Sequence, residues 1–280
     1  MAAIVIAQLV EKGWLDYNEK VTKYWPEFGQ NGKEEITLAD ILRHESGLAW
    51  LDHSFKKDDF YPENIKKNKA GVVFENESLH LPQVGGVEQT PTTREYHTVT
   101  RGCMLNEIVR RVHPEGLTIG EIIRRDPNFE GIFLGLNDSE LGRCADETDL
   151  PHGKILQQSL LLKSMGRGIE PNVFQFMKMF LKGKKLSSKV AQRPAFMVGI
   201  PKMLSRAVEI VNEPFFRKAE LPSANFHASA KALAKLGSMM AHHGEALHEN
   251  DARLMSQETW QKMHANEKRA FDAAMHSKLF

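Results

Sequence analysis

Apolar positions crowd the first thirteen residues. Ile4, Val5, Ile6, Leu9 and Val10 are apolar, and Ala2, Ala3 and Ala7 are small. A run that is apolar nearly all round is the pattern of a helix buried inside a domain. Gly13 supplies a stop, because glycine tolerates the left-handed backbone that ends a helix. No Ser, Thr, Asp or Asn leads into the run to cap it. The pattern therefore predicts a buried helix that has lost its first turn.

Further along, aromatic anchors and glycines (Trp14, Tyr24 to Phe28, Gly29, Gly32) predict a connector. Thr37 is placed to cap a helix over Leu38 to His44, with Leu38, Ile41 and Leu42 on one side and Ser46-Gly47 ending it. Residues 52–89 are polar and irregular, and read as a long loop excursion, with Val72-Val73-Phe74 a short strand. A helix is expected from Thr98 to about Val112, with Val99, Met104, Leu105, Ile108 and Val109 inward. Thr118-Ile-Gly-Glu121 matches a capping box, in which hydroxyl and carboxylate satisfy free amides reciprocally. Gly131 to Gly135 suits a strand, and Ser139 to Ala145 a turn or two of helix. Val173 to Leu181 reads as a helix closed by the cations Lys182, Lys184 and Lys185. His227 to His242 is a helix with Ala228, Leu233, Leu236 and Met240 at helical spacing, and Ser256 caps a short one. Strands are few, so the chain reads as mainly helical.

With 280 residues, a sizeable core can form. The formal charge of +1 gives no field for nucleic acid or an acidic membrane. The first apolar run is too short for a membrane span and lacks a basic leader, which favours an intracellular protein. Cys103 and Cys144 form no metal-binding pattern and are expected free and buried.

Three blocks and a later helix share an order with a known family. They are Leu9 to Asp16 with Val21, Tyr24 and Pro26-Glu-Phe28; Ile36-Thr37 with Leu42-Arg-His-Glu-Ser-Gly-Leu48; and Tyr96-His97-Thr98 with Gly102, Leu105 and Ile108. Leu221-Pro-Ser-Ala-Asn225 with Ala230, Leu233, Ala234 and Leu236 follows. Together they resemble the serine beta-lactamase, penicillin-binding protein and esterase superfamily, in its class C-like branch. The resemblance implies an α+β beta-lactamase/transpeptidase-like fold. It also implies one incomplete domain over 1–280, mainly helical, with the antiparallel sheet missing or fragmentary.

In that family a serine attacks an amide or ester and forms an acyl-enzyme. A lysine one helical turn on and a tyrosine move its proton, and backbone amides hold the oxyanion. The resemblance makes the first helix here the nucleophile helix, with Met1 just past the Ser-x-x-Lys. The strand motif near the family's C-terminus has no match. Tyr96 is then the expected catalytic base or proton relay, and His97 and Thr98 the expected substrate contacts. The implied partner is a small amide, ester or peptide, without cofactor or metal. The chain itself is expected to be inactive; the alternative is a non-catalytic binding module derived from the same fold.

Other chemistry is weaker in the sequence. Ser54-Phe-Lys-Lys57 is a literal Ser-x-x-Lys in a charged loop, not at the start of a buried helix. His44, Glu45 and Ser46 are adjacent, and neighbours on a helix do not face each other. His44 reads instead as an imidazole favoured at a helix C-terminus. His227, His242, His243, His248 and His264 lack the i, i+4 spacing of a zinc pair. The apolar and basic stretch Phe174 to Lys189 reads as core before membrane surface.

Overall fold

The computed structural model describes residues 1–81, 83–84, 87–90, 93–148, 207–248, 252–265, 270–273 and 277–279. Helix α1 (Ala2–Glu11) is the buried helix the pattern predicts: Val5, Ile6, Ala7 and Leu9 are fully or almost fully buried. Its N-cap, Met1, makes no side-chain cap hydrogen bond. Helices α5 (Thr100–Val112), α6 (Ile119–Arg125) and α11 (Gln257–His264) pack against it. Burying each large aliphatic of α1 contributes roughly 1.5–3 kcal/mol.

Local hydrogen bonds set the helix starts. Thr37 accepts from Asp40 N at 3.2 Å and opens α2 (Leu38–Leu42). Thr118 does the same for α6, with Glu121 returning to the Thr118 amide at 2.9 Å. Asn106 Oδ1 accepts from Ile119 N, and the buried Glu220 accepts from Asn106 and Thr118 at 2.9 and 2.8 Å. Burial raises the Glu220 carboxyl to about 7.

Residues 52–89 are more ordered than their polarity predicts. They hold α3 (Pro62–Lys66), α4 (Gly71–Asn76) and a two-residue ribbon of β1 (Gln83–Val84) and β2 (Val87–Glu88). The strand expected at Val72 to Phe74 is helix α4. A strand would put residues 72 and 74 on one face, but Val72 is 44% exposed and Phe74 fully buried. Phe74 meets Trp25 edge-on at 6.3 Å and Phe55 at 5.5 Å. Trp25 Nε1 donates to Glu75 Oε1 at 2.8 Å, so the helix is chosen by its tertiary contacts.

After β3 (Ile132–Leu134) and α7 (Asp138–Leu141), the description resumes at α8 (Ala207–Asn212) and α9 (Pro214–Lys218). The expected helix over Val173 to Leu181 lies outside the described residues. The expected helix at His227 starts later. Phe226–Ala228 is strand β4, antiparallel to β3 with His227 opposite Phe133. Ser229 then caps α10 (Ala230–Ala241), whose buried face is Ala232, Leu236 and Met239, leaving Leu233 exposed. A last ribbon pairs β5 (Ala270–Asp272) with β6 (Ser277–Leu279). Among the described residues the strands pair only two by two, so helices carry the core and sheet is present in fragments. Cys103 is free and buried, and Cys144 is free and partly exposed.

Candidate active site around Tyr96

The tyrosine segment 94–98 runs between the end of α2 and the start of α5. Two sets of bonds fix it. Glu95 N donates to His44 O at 2.9 Å, and His97 N donates to His44 Nδ1 at 2.9 Å. His44 sits at φ +62°, the left-handed region, which turns its ring back toward the segment. Arg94 and Glu45, both buried, form an ion pair at 3.0 Å.

His97 points inward and is 1% exposed. Its Nδ1 lies 2.5 Å from Glu95 O, an acceptor, so Nδ1 carries the proton. Nε2 is then an acceptor, and the Ser46 hydroxyl donates to it at 2.8 Å. The pair has the atoms of a nucleophile and its base. Ser46 is also 1% exposed, so no substrate reaches it and the contact works as a tie between two chain segments. Gly47, at φ +66°, lets the chain turn behind it; a Cβ there would meet Leu79 Cδ1 at 2.7 Å.

Tyr96 points outward, 37% exposed, with its ring 4.9 Å from that of His44. Its amide donates to Asp272 Oδ1 at 3.3 Å, and Ala273 N donates to Arg94 O, so β5 closes over the other side. Arg101, half-buried, donates to Leu42 O at 3.3 Å and stands within charge range of both Tyr96 and the start of α1. Thr98 is exposed beside the tyrosine.

Burial and the charge of Arg101 bring the His44 imidazole down to about 2, and burial brings His97 down to about 4. Both rings are neutral at pH 7, which the His44 acceptor role requires. His44 follows the C-cap of α2, as the sequence suggests, but its ring is neutral there. Burial and the nearby Asp272 raise Glu95 to about 7.

Sequence reasoning did not find the Ser46–His97 contact, nor Arg101 and Asp272 beside Tyr96. Ser46 and His97 are 51 residues apart, and no periodicity links them. The literal motif at Ser54 pairs nothing: the Lys57 ammonium lies over the Phe215 ring at 4.7 Å. No helix of the described residues is long and apolar enough to cross a membrane.

The sequence profile of the Beta-lactamase family matches residues 1–277. The chain belongs to that family. It is 24% identical to the esterase/beta-lactamase LipL of Mycobacterium tuberculosis over 247 residues, 88% of this chain and 49% of LipL. Among solved structures, a penicillin-binding protein homologue from Caulobacter crescentus is 26% identical with a TM-score of 0.64, covering 99% of this chain and 62% of its own. A family VIII carboxylesterase, 21% identical, has a TM-score of 0.67 over the same shares of the two chains. EstA from Arthrobacter nitroguajacolicus Rue61a, 24% identical, has 0.65 over 99% and 63%. The fold is therefore the α+β beta-lactamase/transpeptidase fold, with its sheet in fragments among the described residues. The chain spans about half the length of the curated relative it matches.

Proposed function

We propose that this family member carries the tyrosine side of an acyl-transfer site for small esters or amides, peptides included. Tyr96 is its proton-relay residue and Thr98 a substrate contact. His97 acts from behind, by holding the tyrosine segment against Ser46. The carrying observation is the contrast within three consecutive residues. Tyr96 and Thr98 face solvent, while His97 between them is locked to Ser46. A neutral, fully bonded support under one exposed phenol is what a preorganised proton-transfer group needs. Arg101 adds positive charge within range of the phenol.

Within these 280 residues the reading gives no turnover. Ser46 is buried against His97, and Ser54 has no lysine partner among the described residues. The protein as it stands would bind a substrate or product without forming an acyl-enzyme. A fluorophosphonate probe and a labelled penicillin test this directly. The 280-residue chain is expected to remain unlabelled by both, in the wild type and in Ser54→Ala alike. Labelling that disappears in Ser54→Ala would overturn the reading and make Ser54 the nucleophile.

A further inference from the structure

Three side chains of metal-ligand type converge where residues 50–53 meet the end of α4. Asp52, Glu77 and His80 each offer one ligand atom, all within 4.8 Å of one another. His80 Nε2 is 2.9 Å from Glu77 Oε1 and 3.9 Å from Asp52 Oδ2. Two ligands at about 2.0–2.1 Å from a tetrahedral zinc ion stand about 3.3 Å apart. The observed gaps bracket that edge.

The surroundings fix the ligand atoms before any ion arrives. The second oxygen of Glu77, Oε2, is taken by the amides of Asp52 and His53 at 3.0 and 3.1 Å and by His53 Nδ1 at 3.0 Å. That leaves Oε1 aimed at His80. The His80 ring lies flat on Trp50, 3.7 Å between centroids at 18°, so its plane is set. The side chains of Asp52 and His53 are 53% and 58% exposed, so the site opens to solvent on that side.

We propose that Asp52, Glu77 and His80 bind a divalent transition-metal ion of the zinc type, with water in the fourth position. His53 donates to the far oxygen of Glu77, the role of the carboxylate's outer hydrogen bond in known metal sites. The ion takes the place of the proton between His80 Nε2 and Glu77, and a ring bound through Nε2 carries its one proton on Nδ1. Two carboxylates and one imidazole with an open position suit zinc better than calcium, which collects six or more oxygens.

The test is titration of the full 280-residue chain with Zn²⁺ alone, read by calorimetry, with circular dichroism to follow folding. Co²⁺ is then substituted, and its visible bands report tetrahedral coordination. The wild type is expected to bind one Zn²⁺ per chain. His80→Phe keeps a ring to stack on Trp50 but removes the nitrogen; Asp52→Asn changes an exposed side chain. Each is expected to weaken binding about 10- to 100-fold, a loss of the size that altered metal surroundings produce. A folded wild type that binds no Zn²⁺ at about 100 µM, far above the dissociation constant of a built site, overturns the proposal. Wild-type affinity retained in Asp52→Asn also overturns it, and this holds even where His80→Phe fails to fold.

Discussion

Two buried polar networks lie near opposite ends of α5, and they differ in kind. One joins Ser46, His97 and His44 and contains no charge at neutral pH. It ends at Tyr96, which faces solvent. The other joins Glu107 to Arg110 and Arg111, then to Asn68 and Glu75, and it is built on ion pairs. It ends at Trp25, fully buried, with the Arg111 guanidinium 4.1 Å over the indole. The neutral network orients one reachable group; the ionic one fastens α4 and α5 to the core. A perturbed, buried ionisable group is thus no marker of function by itself. What separates the two is whether the chain of bonds leads to the surface.

The sharpest way to break this contrast is Glu107→Ala. Removing the carboxylate leaves two largely buried guanidiniums with only Asn68 and Glu75 as partners, and the expected loss is about 3–5 kcal/mol in urea unfolding. A loss below about 1 kcal/mol would mean that water already serves Arg110 and Arg111.

The neutral network should be visible in acid. Free imidazole titrates at 6.5, and the folded protein holds His97 to about 4 and His44 to about 2. A depressed histidine contributes stability that is present above pH 6.5 and lost as pH falls through its folded value. In His97→Gln the slope of stability between pH 6.5 and 4 should shrink by up to about 1.4 kcal/mol per pH unit. An unchanged slope means His97 is already protonated inside.

Glu220 provides the opposite sign as a control. Its carboxyl is raised from 4.5 to about 7, so the stability it contributes is present below pH 4.5 and lost as pH rises through 7. Glu220→Gln should flatten that limb and leave the acid limb of His97 untouched. The smallest effect is expected from Tyr96→Phe. The phenol is exposed, so stability should stay within about 0.5 kcal/mol of wild type in the same urea assay. A loss above about 1.5 kcal/mol would place Tyr96 among the core residues and remove the reason for reading it as a site.

The parts legible in the sequence are those decided within four residues. Thr37, Thr118 and Ser256 each cap a helix through a hydrogen bond three residues ahead, and the sequence shows both partners. Helix α1 was legible because its apolar character leaves no other place for it. The misread elements were decided at a distance. Val72-Val73 favours a strand locally, yet Trp25 and Phe55 pull Phe74 inward on a helix. His227 fits a helical pattern, yet β3 takes it as a strand partner. For the site, the family resemblance pointed to Tyr96, but nothing local told which of residues 96–98 would turn inward. That is set by His44, more than fifty residues earlier.

The last polar anchors of helix α1 are made long after it. Gln8 Nε2 donates to Leu254 O across 246 positions, and Glu11 accepts from the Ser256 amide and from Arg253. At a synthesis rate of about 5–20 residues per second, the ribosome needs roughly 10–50 s to deliver that partner. For that time α1 has α5 and α6 beside it but lacks the face that α11 covers, so its outer side stays open until the end of synthesis.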